Sequence, residues 1–561
     1  MHKKSIYWIF SLVGMCLLMV CLRLRIVKDH TETPARESTP QSYFAIVPHF
    51  VIQPNTIQNF YTFLQTSYHI DKSEPLHIII ISPDHFNVLT GDMAKFCGKK
   101  LCYQNTCLPI DERKASDELP CIDTENITEH GIGAQFSFIK NTFPHAKISP
   151  IIVQPKKFVG DTKLISGIID QKFQGKTLIL ASVDFSHYTD ENFAWLHDQK
   201  SFYTLNNATG IQDYSSLEVD CPSCLYVVNS LAQKNKEYPQ LYLRDSSSTI
   251  VGKNLGTGNT SRQFISYSDQ KTEANGFTLA FFGDLIFDRQ VAQFLSTDAS
   301  IENHFKTFFQ SENTDLDPQI YPHRKLFGID FVGFNLETPI VQDAKDCIAS
   351  HKQVQFCSSD IILPYLSELW FNIANVANNH TFDWGTQAHQ ETIQLLKQNN
   401  IQPIGYVRNS TYFQKNYEWK TSIRGIPIAR EGFDFTITPR RLFSGYCDIL
   451  KKNKTEGRIS LVAVHRGTEY QTTHDASQES IAKQLIQCWA DIIIGTHPHV
   501  TQDIWRYQGK PIIYSLGNFL FDMQNPPATK IGWYVLIDYQ INGSITLLTG
   551  NINASIYKSS F

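Results

Sequence analysis

The chain has 561 residues, more than one hydrophobic core usually holds, so two domains are expected. With 42% hydrophobic and 19% charged residues it has the composition of an ordinary globular protein, without a repeat of fixed period or a low-complexity tract. The formal net charge of −4 argues against a nucleic-acid binder, which would carry a basic stripe.

The first element is apolar. After Lys3 and Lys4 comes the run from Ser5 to Leu22, followed by Arg23, Arg25 and Lys28. As a helix it would span roughly 27 Å, enough for a hydrocarbon core. No small-x-small cleavage site follows it. Met15 and Val20 stand before Cys16 and Cys21, where bacterial lipidation needs a small residue. Residues 1–28 therefore read as an uncleaved signal anchor, a single-pass membrane helix with the bulk of the chain outside the cytoplasm. Residues 29–42 read as a polar linker.

From Tyr43 onward, short apolar runs alternate with amphipathic ones. FAIVPH, LHIIIISPDH, ISPIIVQP and KTLILASVDFSH are strand-like, and continuous apolar runs suit buried strands of a parallel α/β sheet. In such sheets ligands gather at the carboxyl ends of strands, where His49, Asp84, His85, Asp184 and His187 fall. Cys97, Cys102, Cys107 and Cys121 crowd one polar stretch, and Cys347 and Cys357 bracket another. These clusters read as disulfides in an oxidising compartment or as a metal site in a reducing one, with the pairing open.

A polar stretch from Ser268 to Gly276 resets the pattern, which divides the chain into domains over 43–268 and 277–561 with a linker at 269–276. FTLAFFGD, FVGFNLE, IANVANNH, ISLVAVHRG, ADIIIGTHPH and PIIYSLGNF follow as strands. At their ends stand Asp284, Asn335, Glu337, Asn379, His380, His465, His497 and His499. Carboxylate, amide oxygen and imidazole are the donors a hard or borderline divalent cation takes. Two such cations must be surrounded from several strand ends, because no single loop can enclose both.

These segments carry a resemblance. From about Phe277 to Ile556 the chain resembles the CapA (poly-γ-glutamate) capsule-synthesis family, a branch of the calcineurin-like metallophosphoesterases. TLAFFGD, FNLETP, IANVANNHTFDWG, VAVHRGTEY, ADIIIGTHPHVTQ and PIIYSLGNFLFD carry it. The resemblance implies a β-sandwich flanked by helices and divalent ions such as Mn, Fe, Zn or Mg. Asp284, Asn379, His465, His497 and His499 would be ligands, with Asn335 and Glu337 ligating or orienting. His380 would be the general acid, in a turn completed by Asp383 and Gly385. Tyr514, Ser515 and Asn518 would bind a substrate anion or simply form a turn around Gly517. Arg466, where the family has tryptophan, would grip an anion or lie exposed. The usual Asp-x-His opening is GDL here, so one ligand is missing or replaced.

Residues 43–268 resemble the Memo-like family, related in fold to class III extradiol dioxygenases, through VPH, SPDH, EHGI, SVDFSHY, DCPSC and GTGNTSRQFISYS. The resemblance implies an iron or copper site with His49, His85 and Cys221 as ligands and Asp184, His187 and His130 nearby. Cys221 and Cys224 would alternatively form a disulfide or a CxxC pair, and Phe50, Val51 and Gly133, which depart from the family's pattern, leave a degenerate binding domain as the other reading. The expectation is a membrane-anchored metallohydrolase acting on a phosphoester or anionic envelope polymer. The alternative is a non-catalytic envelope protein that binds or exports such a polymer.

Overall fold

A computed structural model describes residues 42–111, 119–155, 176–309, 325–342, 355–408, 414–436 and 443–554. The anchor expected over 1–28 lies outside the described residues, as does Cys347. Among the described residues no helix is long and apolar enough to cross a membrane.

The apolar runs of the first region become a sheet that has 8 strands among the described residues. Its centre is parallel: Lys147–Val153, His77–Pro83, Thr177–Ser182 and Ser42–Val47 lie side by side. His77–Pro83 and Thr177–Ser182 are buried throughout, as strands covered on both faces must be. One face packs on helices Pro54–Ser67 and Phe136–Thr142 through Phe60, Tyr61, Phe136 and Ile139. The other packs on helix Pro222–Lys234 through Leu225, Val228 and Leu231. Parallel order leaves the carboxyl ends of Ser42–Val47, His77–Pro83 and Thr177–Ser182 together, and the chain runs on from each into Pro-His, Asp-His or Val-Asp.

The second region builds a 14-stranded sheet among the described residues. The expected sandwich of two sheets is instead one continuous hydrogen-bonded path, bridged where Ile373–Asn375 pairs with Gln402–Arg408. The path folds over itself. Phe277, Phe281, Ile428, Leu461, Ile494 and Val535, from both halves of the sheet, share one core. The outer faces pack against helices, Gly385–Gln398 on one side and Phe443–Thr455 with Ala476–Gln487 on the other. Gly283 sits where the fold closes: a Cβ there would collide with the Gly517 carbonyl, to which Asp284 N–H donates at 2.9 Å.

Helix Glu191–Asn207 joins the two regions. Phe193 and Leu196 enter the core of the second sheet, and Tyr203 donates to Asp538 at 2.7 Å. The cysteine alternatives resolve as disulfides: Cys97–Cys121, Cys102–Cys107, Cys221–Cys224 and Cys447–Cys488.

Candidate metal centres

Parallel register assembles the C-terminal cluster. Asp284 pairs with Asn335, Asn335 with Asn375, and His465 with Thr496, so neighbouring strands end at the same level. The next residues then turn inward: Glu337 after its strand, Asn378 and Asn379 after theirs, His497 and His499 after Thr496. His497 and His499 have φ of 101° and 57°, conformations a non-glycine residue holds only when its surroundings impose them. The His497 N–H donates to Asp284 Oδ2 at 3.2 Å, which anchors that turn.

Donor atoms converge on His465 Nε2. Asn379 Oδ1 lies 2.8 Å away, His497 Nδ1 3.2 Å and Glu337 Oε1 3.4 Å. A second group joins Asp284 Oδ2 to His499 Nδ1 at 3.5 Å, and His499 Nε2 to Glu337 Oε1 at 3.8 Å. Glu337, His465 and His497 thus form one candidate cation group, and Asp284, Glu337 and His499 another, with Glu337 common to both.

Electrostatics match that geometry. Burial pushes His497 down to about 2 and His499 to about 3, and holds His465 well below its usual value. All three are therefore neutral imidazoles, the form that ligates a metal. Burial lifts Glu337 to about 8, and burial with the neighbouring Glu337 charge lifts Asp284 well above the carboxylate range. Both oxygens of Glu337 are buried and lack a hydrogen-bond partner among the described residues. An unpartnered buried carboxylate costs on the order of several kcal/mol unless a cation compensates it. The donor set therefore fits divalent metal.

His380 stands at the edge. Its Nδ1 bonds Asp383 Oδ2 at 2.8 Å, and its ring packs 4.3 Å from that of Phe356. Burial opposes its protonation, but the Asp383 hydrogen bond and the Glu337 charge outweigh burial and raise its pKa. Asp383 is thus an orienting partner for the His380 ring.

Other expected residues take different places. Asn335 turns its oxygen to Asn375 and Asn378, and its amide to Asp284 and His465, so it orients ligands and does not join them. Asn518 Oδ1 accepts from His499 Nδ1 at 2.9 Å and its amide nitrogen donates to Thr529 O, an orienting part where substrate contact or a turn was expected. Ser515 is buried and accepts from Gly517 N–H, the turn alternative. Tyr514 points to the opposite, helix-covered face, stacked on His474 at 3.8 Å. Arg466 is half-buried, with one guanidinium arm donating to Phe435 O and the other to Ser477.

The N-terminal cluster is built differently. The rings of His49, His85 and His130 lie 4.1–5.2 Å apart. His49 Nε2 is 3.1 Å from Asp220 Oδ2 and 3.3 Å from Asp184 Oδ2, and His85 Nδ1 is 2.6 Å from Glu129 Oε1. His187 stands 4.0 Å from Asp184. Cys221 is not among the donors: its sulfur is bonded to Cys224. The neighbouring Asp220 supplies a carboxylate in its place, and Glu129 caps the short helix that carries His130. Sequence reasoning missed both. The acidic neighbour in DC was legible but overshadowed by the cysteine beside it.

Burial opposes protonation of His85, yet Asp220 and Glu129 outweigh it and raise the ring to about 10. His49 is raised likewise by Asp184 and Asp220. His130 is pushed down to about 4 by burial and by the charge on His85. Here the histidines and carboxylates neutralise one another, unlike the C-terminal set. Above them opens a cavity of about 740 Å³ with Phe50, Val51 and Phe86 at its lip.

Comparison with known proteins places both regions. The capsule biosynthesis protein CapA of Bacillus anthracis is 28% identical over 305 residues, covering 51% of this chain and 69% of that protein. The PGA biosynthesis protein CapA of Bacillus subtilis (strain 168) is 29% identical over 205 residues, 34% of this chain and 53% of that one. A probable polyglutamine synthesis accessory protein of Mycobacterium tuberculosis is 25% identical over 211 residues, 34% and 55% respectively. The chain thus spans about half the length of the latter two. The family described as bacterial capsule synthesis protein PGA_cap matches residues 278–441 and 446–523, and the Memo-like protein family matches residues 27–255. By these matches the chain joins a region similar to Memo-like proteins to a region similar to the PGA_cap capsule-synthesis proteins.

Proposed function

We propose that the C-terminal region is a divalent-metal-dependent hydrolase of the CapA type, acting on an anionic envelope polymer or phosphoester in capsule synthesis or attachment. The observation that carries this is Glu337, buried with both oxygens unpartnered between His465, His497, His499 and Asp284. Asp284, Glu337, Asn379, His465, His497 and His499 would hold the metal. When bound, divalent ions there would polarise a phosphoryl or acyl oxygen and acidify a water. The residues supply the rest. Asn335 and Asn518 would fix the imidazoles and Asp284, and His380, held by Asp383, would give a proton to a leaving group.

The N-terminal cluster is proposed as a second, separate cation site of His49, His85 and Asp220. Its carboxylates favour iron over copper in the reduced state, because the soft sulfur of Cys221 is engaged. The disulfides support a location outside the cytoplasm, and the apolar run at 5–22 supports a membrane anchor.

Elemental analysis and hydrolysis of a generic phosphodiester with manganese test the main reading on chain lacking residues 1–28. Metal in the purified protein, with turnover that Asp284→Ala and His497→Ala each reduce at least 100-fold, about the loss expected of a ligand, is the expected result. Folded protein without metal or turnover would favour the non-catalytic polymer binder.

A further inference from the structure

The edge of the C-terminal cluster carries a cation that the ligand set does not use. Arg289 follows the Asp284 strand with φ 50°, a left-handed conformation that needs outside support in a non-glycine residue. Asp288 gives that support. One of its oxygens accepts the Arg289 N–H at 2.6 Å, and the other accepts the Cys357 N–H at 2.7 Å. The segment bearing Arg289 is thereby clamped to the one bearing Phe356.

The guanidinium lies on an aromatic platform. It is 4.7 Å from the Phe356 ring centre and 5.9 Å from that of Phe521. Each ring also touches a histidine of the cluster: Phe356 packs on His380 at 4.3 Å, and Phe521 on His499 at 4.8 Å. Arg289 therefore stands one ring beyond both histidines. Asp522 bonds one arm of the guanidinium and sets its direction. The side chain remains 41% exposed, so the rest of its five-donor fork faces solvent.

We propose that Arg289 forms an oxyanion subsite, which takes a carboxylate or phosphate of the polymer one ring's width from the reacting bond. This rests on the reading of the C-terminal cluster as a hydrolase of an anionic polymer. A planar fork held over two rings suits it, because stacking fixes the plane without consuming the donors. In an acidic polymer each repeat offers such an anion. Engagement of a neighbouring repeat would place the scissile bond over the cluster, and small esters lacking that repeat would gain nothing from Arg289.

The test is calorimetric titration of the full chain, with manganese, against γ-linked oligoglutamate and against linear oligophosphate. Wild type is compared with Arg289→Ala, Arg289→Gln and Arg289→Lys. Removing a charged hydrogen-bond donor should weaken binding about tenfold or more, with Arg289→Lys intermediate. Melting temperature and bound manganese should be unchanged, which a purely structural ion pair would not predict. A loss confined to oligoglutamate assigns a carboxylate, one confined to oligophosphate assigns a phosphate, and a loss in both assigns a general oxyanion subsite. Affinities within about twofold of wild type, the scale of an exposed ion pair, or a loss that tracks manganese content, would overturn the proposal. If wild type binds no metal yet the Arg289 effect persists, the hydrolase reading fails and the subsite stands; metal and turnover with Arg289 neutral is the reverse.

Discussion

Glu337 and Glu431 are both buried glutamates lifted toward neutrality by burial, Glu337 to about 8 and Glu431 to about 7. They differ in company. Glu431 accepts from Asn453 at 3.0 Å and from Asn416 at 3.4 Å, whereas Glu337 faces imidazoles and a second carboxylate with no hydrogen bond among the described residues. Glu431 is thus a satisfied structural acid, and its linkage to pH is simple. Its folded pKa exceeds its unfolded value, so its contribution is complete below about pH 4.5 and is lost as pH rises through about 7. Glu431→Gln should remove that loss. In urea melts, the variant should gain on the order of 1–3 kcal/mol relative to wild type between pH 5 and pH 8. An unchanged difference between the two would refute the assignment.

Among the elements, helix Glu191–Asn207 has the most to do for its length. It lies on the first sheet yet buries Phe193 and Leu196 in the core of the second. Tyr203 reaches Asp538, and Lys200 bonds Gly328 O and Ser216. Tyr203→Phe leaves the buried Asp538 without that donor and should cost about 1–3 kcal/mol, read as a lower urea midpoint. If no loss appears, water or Gln540 must replace the donor.

The strands themselves were legible, since continuous apolar runs such as TLILAS suit a sheet covered on both faces. His49, His85, His465, His497 and His499 were legible as candidates because each stands at or just past the end of such a run. The far ends of interactions were not. Nothing in YSLGN says that Tyr514 faces the helix layer while Asn518 faces His499, because the turn at Gly517 resets the alternation of faces. Arg466 stands beside His465 but donates to Phe435 O, and a backbone partner distant in the chain leaves no mark in the sequence. Asp220 was hidden by the cysteine next to it, whose sulfur turned out to be engaged.

For the molecule as a whole, the two candidate centres share no residue. Sites without common partners should respond to mutation independently. His49→Ala with His85→Ala should empty the N-terminal site alone, and His497→Ala the C-terminal site alone, each seen as a separate step in metal content. Loss of both metals from either change would show that the regions are coupled through helix Glu191–Asn207. The C-terminal imidazoles are held neutral and need shed no protons on binding, but Glu337 and Asp284, both raised by burial, must. At the N-terminal site the raised His49 and His85 must, so metal uptake should weaken on acidification at both sites.

The closure of the second sheet has a kinetic consequence. Asp284 and His497 meet across 213 positions of chain, and Asp284 N–H finds its acceptor only once Gly517 has arrived. Contacts of such long sequence separation form slowly, because loop entropy is lost before they can stabilise the fold. No partial chain ending before His499 can present the complete donor set. A chain that has not reached His499 can offer at most the Glu337, His465 and His497 group but not the second group, so the full donor set forms only when folding of this region is complete.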